Sequence, residues 1–132
     1  MRKVFIDCGA YTGNSVKKFL TVFDGFEIFS FEPNPFLKAY HDRLPNTLIE
    51  AAVWTENGTI DFYLDQKDYD GSSVFEHKQN IVDKKKISVP TIDFSRWLKE
   101  NFDKNDLIIL KMDIEGAEYP VLDKMIKEEN QK

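Results

Sequence analysis

The chain contains one cysteine, Cys8. A lone thiol excludes an intramolecular disulfide and points to a reducing compartment. Because Cys8 closes an apolar run, it reads as a small buried residue rather than a reactive thiol. There is also no N-terminal apolar stretch long enough for a signal peptide or a membrane span, so the expected address is the cytoplasm, with no membrane partner. Basic charge is in short supply as well: 18 Lys and Arg stand against 23 Asp and Glu, a net charge of -5. Phosphate-backbone binding needs a basic face, so a nucleic-acid partner is not expected. The one basic run, Lys84, Lys85 and Lys86, reads as a solvated loop.

What the chain does have is apolar patterning. With 132 residues and 42% hydrophobic content, it fits one packed domain spanning residues 1–132. An apolar run at residues 3–8 ends in a glycine loop, the pattern of a buried parallel strand. Helical spacing of Val16, Phe19, Leu20 and Phe23 follows, closed by Asp24 and Gly25. Residues 26–31 form a second strand. Pro33, Asn34 and Pro35 open another helix with Phe36, Leu37, Tyr40 and Leu44 as its apolar face, and residues 47–54 make a third strand. This β-α-β-α-β order is the first half of a doubly wound α/β sheet.

The middle of the chain changes character. Asn57-Gly58 predicts a hairpin joining the third strand to residues 59–64. Short strand-like pieces at 73–75 and 87–89 suggest a small antiparallel β addition. A helix is expected around Phe94, Trp97, Leu98 and Phe102, then a fourth core strand at 107–112 and a last helix at about 117–128.

The chemistry starts where the first strand meets the first helix. There the chain reads Asp7-x-Gly9-x-x-x-Gly13. Gly9 permits a sharp turn and close approach of a ligand to the backbone, and Gly13 is assigned the same role at the helix start. The helix start offers N–H donors and a positive dipole end, which suit a carboxylate. Asp7 supplies the opposite charge for an ammonium group. Anion receptor and carboxylate together fit an amino-acid zwitterion, whereas a pyrophosphate would meet repulsion. Glu32, ending the second strand, is placed to accept hydrogen bonds from ribose hydroxyls. An adenosine with an amino-acid tail is S-adenosylmethionine. The dinucleotide fingerprint G-x-G-x-x-G is absent, since Tyr11 and Thr12 interrupt it. Tyr11 either lines the pocket or braces the loop.

Four blocks, FIDCGAYTGN at 5–14, FEPN at 31–34, AAV at 51–53 with Asn57-Gly58, and LKMDIEGAE at 110–118, resemble the FkbM family of methyltransferases. The resemblance implies a Rossmann-like class I methyltransferase fold and O-methylation of a hydroxyl on a sugar or small metabolite. It implies that Asp7, Gly9, Ala10, Gly13 and Asn14 surround the methionine part, that Glu32 holds the ribose, and that Ala52 and Val53 lie near the adenine. The sheet of such enzymes continues past the helix that follows strand four. Here those C-terminal strands are missing, so the edge of strand four is expected to pair with a second copy or a partner chain.

Asp113, at the carboxyl end of strand four, is the candidate base or hydroxyl-orienting group. The alternative is that it caps the last helix. Glu115 and Glu118 follow it, as first-turn charges or, with Asp113, as oxygen ligands for a cation; no metal site is assigned. His41 reads as a surface residue on a helix, His77 as a loop histidine over the pocket, and Trp54 and Trp97 as packing residues. The competing functions are a dinucleotide-binding protein on the same architecture and a shortened, non-catalytic binding domain.

Overall fold

The computed structural model describes residues 1–65, 84–112 and 125. Its elements in chain order are β1 (Lys3–Cys8), α1 (Asn14–Val22), β2 (Glu27–Phe31), a 3-10 helix (Pro35–His41), β3 (Thr47–Ile49), β4 (Ala52–Trp54), β5 (Gly58–Asp65), β6 (Lys84–Asp93), α2 (Phe94–Asn101) and β7 (Leu107–Met112). The architecture is mixed α/β, with two sheets.

The larger sheet runs β3-β2-β1-β7, all strands parallel. Its central strand β1 has the sequence KVFIDC and is buried from Val4 onward. Side chains alternate across a strand, so β1 feeds two cores. Val4, Ile6 and Cys8 pack with Phe31, Val53 and Phe94 on one face, flanked by Phe29, Trp97, Phe102 and Leu110. On the other face Phe5 packs with Val16 and Ile28, flanked by Phe19, Leu44 and Ile109. The helices attach through aromatic rings: Phe19 of α1 stacks on Phe5 at 4.1 Å, and Trp97 of α2 meets Phe31 edge-on at 4.9 Å. Trp97 is thus the packing residue its sequence context suggests. Asp93 caps α2 by accepting from the Arg96 N–H at 3.2 Å.

The stretch 47–54 is not one strand. The Ala51 N–H donates to the Ile49 carbonyl at 2.9 Å, a tight reversal that ends β3 in the large sheet and starts β4 in the small one. The expected hairpin at Asn57-Gly58 is also overturned. The small sheet runs β4-β6-β5, so β6 lies between the two strands the hairpin would have joined. β6 runs parallel to β4 and antiparallel to β5, and a ten-residue strand offers the eight residues of β5 far more ladder than three-residue β4 does. Asn57 serves that arrangement instead: its Oδ1 accepts from the Asp93 N–H at 2.8 Å. The basic run at 84–86 opens β6, with Lys86 Nζ 3.6 Å from Asp61. It is a strand and not a loop.

The second helix is a 3-10 helix rather than an α-helix. Its seven residues turn only Leu37 and His41 inward, leaving Phe36 and Tyr40 exposed. It starts at the Asn34 side chain, whose Oδ1 accepts from the Phe36 N–H at 3.0 Å, and it closes through i to i+3 bonds such as Leu37 N–H to Asn34 carbonyl. The strand piece expected at 73–75 lies outside the described residues. So does the last helix apart from Met125, which packs on the core.

Candidate functional site

The carboxyl ends of β1, β2, β3 and β7 lie at one edge of the large sheet, because Cys8 pairs with Phe31 and Met112, and Phe31 with Ile49. In open parallel sheets ligands bind at that edge. Here it carries the loop 7–13 and Glu32.

The loop is held from below and from the side. The Gly9 and Ala10 N–H groups both donate to the Phe31 carbonyl, at 3.0 and 3.1 Å. Gly9, Tyr11 and Gly13 all have left-handed backbones, with φ of 80°, 49° and 84°. For a tyrosine that conformation costs about 1–2 kcal/mol. It is held by Glu32, whose Oε1 accepts from the Tyr11 N–H at 2.9 Å while Oε2 accepts from the Asn34 N–H at 2.8 Å. Glu32 is 3% exposed. It therefore ties the loop to the start of the 3-10 helix, a role its position at a strand end did not reveal.

Packing also requires glycine at position 13. A Cβ there would sit 2.5 Å from Leu44 Cδ1 and 3.4 Å from His41 Cε1. The position is closed by packing on the segment that follows the 3-10 helix. From Gly13 the chain enters α1 with no side-chain cap and no acidic residue in the first turn. The positive end of α1 therefore receives no cap from its own N-cap side chain or first turn, which suits an anion. Asn14, the first helical residue, is exposed, and Tyr11 is half-buried beside it.

Asp7 is fully buried on the α1 face of the sheet, aligned with Ser30 of β2 and Lys111 of β7. Lys111 Nζ lies 3.6 Å from its Oδ1. A buried carboxylate requires such compensation. Asp7 thus acts from beneath the loop as a charge paired with Lys111. Lys111 was not singled out from sequence, although one lysine in an otherwise apolar strand was a visible signal. Next to Asp7, burial and then the Asp7 charge push the Cys8 thiol well above the ordinary thiol range, so the thiolate is suppressed.

His41, expected at the surface, is buried at 5% exposure. Its Nε2 lies 2.8 Å from the Tyr11 carbonyl, and its Nδ1 lies 3.1 Å from Asn46 Nδ2. A carbonyl only accepts and an amide nitrogen only donates, so this pattern fits the tautomer with its hydrogen on Nε2. Asn46 Nδ2 also donates to Ser30 Oγ at 2.7 Å. No helical period links these residues; they meet because β2, the 3-10 helix and the loop converge on one point.

Ala52 and Val53 are buried, Ala52 packed with Val89 of the small sheet and Val53 in the main core. Asp113, Glu115, Glu118 and His77 lie outside the described residues. Among the described residues no cluster of His, Cys, Asp and Glu has the grouping of a metal site. No described helix is long and apolar enough to cross a membrane.

Comparison with known proteins gives two matches. The methyltransferase FkbM domain matches residues 7–131. The 2-O-methyltransferase NoeI of Sinorhizobium fredii (strain NBRC 101917 / NGR234) is 30% identical over 139 residues, covering 90% of this chain. The chain spans 56% of that relative's length. No solved structure matches significantly.

Proposed function

Because this chain belongs to the FkbM family of methyltransferases, we propose that it uses S-adenosylmethionine to methylate a hydroxyl on a sugar or other small metabolite. The observation that carries the reading is the arrangement of loop 7–13: three left-handed residues at the carboxyl edge of a parallel sheet, opening onto the uncapped positive end of α1. The fold that accompanies this reading is a Rossmann-like class I methyltransferase sheet, of which β3-β2-β1-β7 is the part described.

The residues present fit the cofactor. The start of α1, with Gly13 and Asn14, takes the methionine carboxylate. The backbone of Gly9 and Ala10 passes under the methionine chain, with Tyr11 beside it. Glu32, which accepts from the Tyr11 and Asn34 N–H groups, stands at the strand end beside which the ribose hydroxyls would bind. The turn between β3 and β4 borders the adenine, with Ala52 and Val53 at its margin. Asp7 contributes charge from below rather than direct contact, since it is fully buried.

When bound, S-adenosylmethionine supplies a methyl group on a sulfonium centre, open to in-line displacement. The acceptor oxygen forms the new bond to carbon as the carbon–sulfur bond breaks. The hydroxyl proton goes to a base, the role we give to Asp113, the next residue in sequence after β7. A 2-O-methyltransferase among the relatives supports an alcohol as the acceptor. A reducing, cytoplasmic setting, as the lone cysteine suggests, is part of the same reading.

The test is calorimetric titration with S-adenosylhomocysteine, with NAD as comparison. Binding of the former alone, followed by methyl transfer from labelled S-adenosylmethionine to a sugar panel and its loss in Asp113→Asn, is the expected result. Binding of NAD alone overturns the reading.

A further inference from the structure

The loop 7–13 is braced by one residue that none of the cofactor motifs contains. We infer that His41 is a positioning residue that holds the cofactor loop in its ligand-ready shape; the inference rests on the methyltransferase reading of that loop. Tyr11 is the point where bracing matters most, because it is a non-glycine residue with φ of 49°. Its peptide groups are clamped from two sides. Glu32 accepts from its N–H at 2.9 Å, and His41 Nε2 donates to its carbonyl at 2.8 Å. A residue gripped at both polar groups cannot relax to an extended backbone without breaking two part-buried hydrogen bonds.

A second, independent contact joins the same ring to the other end of the loop. His41 Cε1 lies within 3.4 Å of where a Cβ on Gly13 would sit, and Leu44, whose N–H donates to the His41 carbonyl, closes the rest of that space. One imidazole therefore bonds one left-handed residue of the loop, Tyr11, and lines the space that a side chain at another, Gly13, would need. The ring itself is fixed by Asn46, which bridges Nδ1 and Ser30 Oγ on β2. The chain of contacts runs from the sheet through Asn46 and His41 to the loop. Its consequence is that α1 starts at a fixed place above the sheet edge, with its N–H groups aimed before any ligand arrives, which lowers the ordering cost of binding.

The test compares wild type, His41→Leu and His41→Gln. Glutamine places an amide N–H near the Nε2 position and can restore the bond to Tyr11; leucine fills space without a donor. Hydrogen exchange of a peptide covering residues 7–14 is read in the free protein, and S-adenosylhomocysteine affinity by calorimetry, with thermal unfolding as the check on folding. The inference expects faster exchange and at least about fivefold weaker binding in His41→Leu, as one lost hydrogen bond implies. Both are regained in large part by His41→Gln. Equal exchange and affinity in all three folded proteins overturn it. So does equal loss in both variants, which would mark packing rather than the hydrogen bond as the cause. If the wild type binds no S-adenosylhomocysteine, the cofactor reading falls and the positioning role with it, whatever the exchange shows.

Discussion

Glu32 and Tyr11 stand 21 positions apart in sequence, yet the Glu32 carboxylate accepts the Tyr11 backbone N–H at 2.9 Å. The acid that follows β2 thereby dictates the backbone of the loop that follows β1. Any effect of Glu32 on ligand binding is consequently a sum of two effects, a direct one on ribose and an indirect one through the loop. Removing it in Glu32→Ala strips acceptors from two backbone N–H groups, each charge-assisted bond contributing about 1.5–3 kcal/mol. We expect a loss of at least about 2 kcal/mol in urea unfolding. An unchanged midpoint would show that the two N–H groups find water instead.

Lys111 stands beside the fully buried Asp7 carboxylate at 3.6 Å. Lys111→Met takes the cation away and leaves the anion in place; because the lysine side chain is 38% exposed, the cost should fall below the roughly 3 kcal/mol of a fully buried pair. Asp7→Asn together with Lys111→Met should recover part of that loss. Urea denaturation of the three variants measures the coupling, and strict additivity would contradict it.

Gly13→Ala meets two obstacles that separate experimentally. The side chain would approach Leu44 Cδ1 to 2.5 Å, and the backbone has φ of 84°. The leucine end can shift, but the backbone strain of about 1–2 kcal/mol cannot. In a thermal-unfolding cycle with Leu44→Ala, the double variant should be less destabilised than the sum of the single changes, while still falling below Leu44→Ala alone.

At the opposite edge of the sheet Arg2 makes a two-pronged contact with Glu27, at 2.7 and 2.8 Å, and donates its N–H to Asp106 at 2.9 Å. Hydrogen bonding from the Arg2 side chain holds Glu27 below its ordinary range, and backbone bonds from Arg2 and Asp103 do the same for Asp106. A carboxylate whose folded pKa is depressed contributes stability above its unfolded pKa and loses it as pH falls through the folded value. Arg2→Met should therefore lower the urea midpoint at neutral pH, and the gap to wild type should narrow as the pH drops below the ordinary carboxylate range. A gap independent of pH would assign the effect to packing of Arg2 over Phe102 instead. Arg2 and Glu27 are exposed, so the effect is expected to be small and salt-sensitive.

Cys8 is fully buried and its thiol is held protonated. A maleimide reagent should label it only after unfolding. Rapid labelling of the native protein would mean that β1 opens locally.

Much of this molecule was legible in the chain itself. The apolar runs that become β1, β2 and β7, the periodic apolar positions of α1 and α2, and the glycine loop between strand and helix are local patterns, and local patterns are what residue order records. The family likeness was legible for the same reason, because its blocks are contiguous. Tertiary structure decided the rest. Whether residues 47–54 continue as one strand or split between two sheets depends on a competitor strand, β6, that begins thirty residues later. Whether His41 faces water or the loop depends on the turn taken after Pro35, and which cation stands beside Asp7 depends on which residue of β7 falls in register with it. Those are long-range pairings, settled by the packing and hydrogen bonding of segments that only the folded chain brings together.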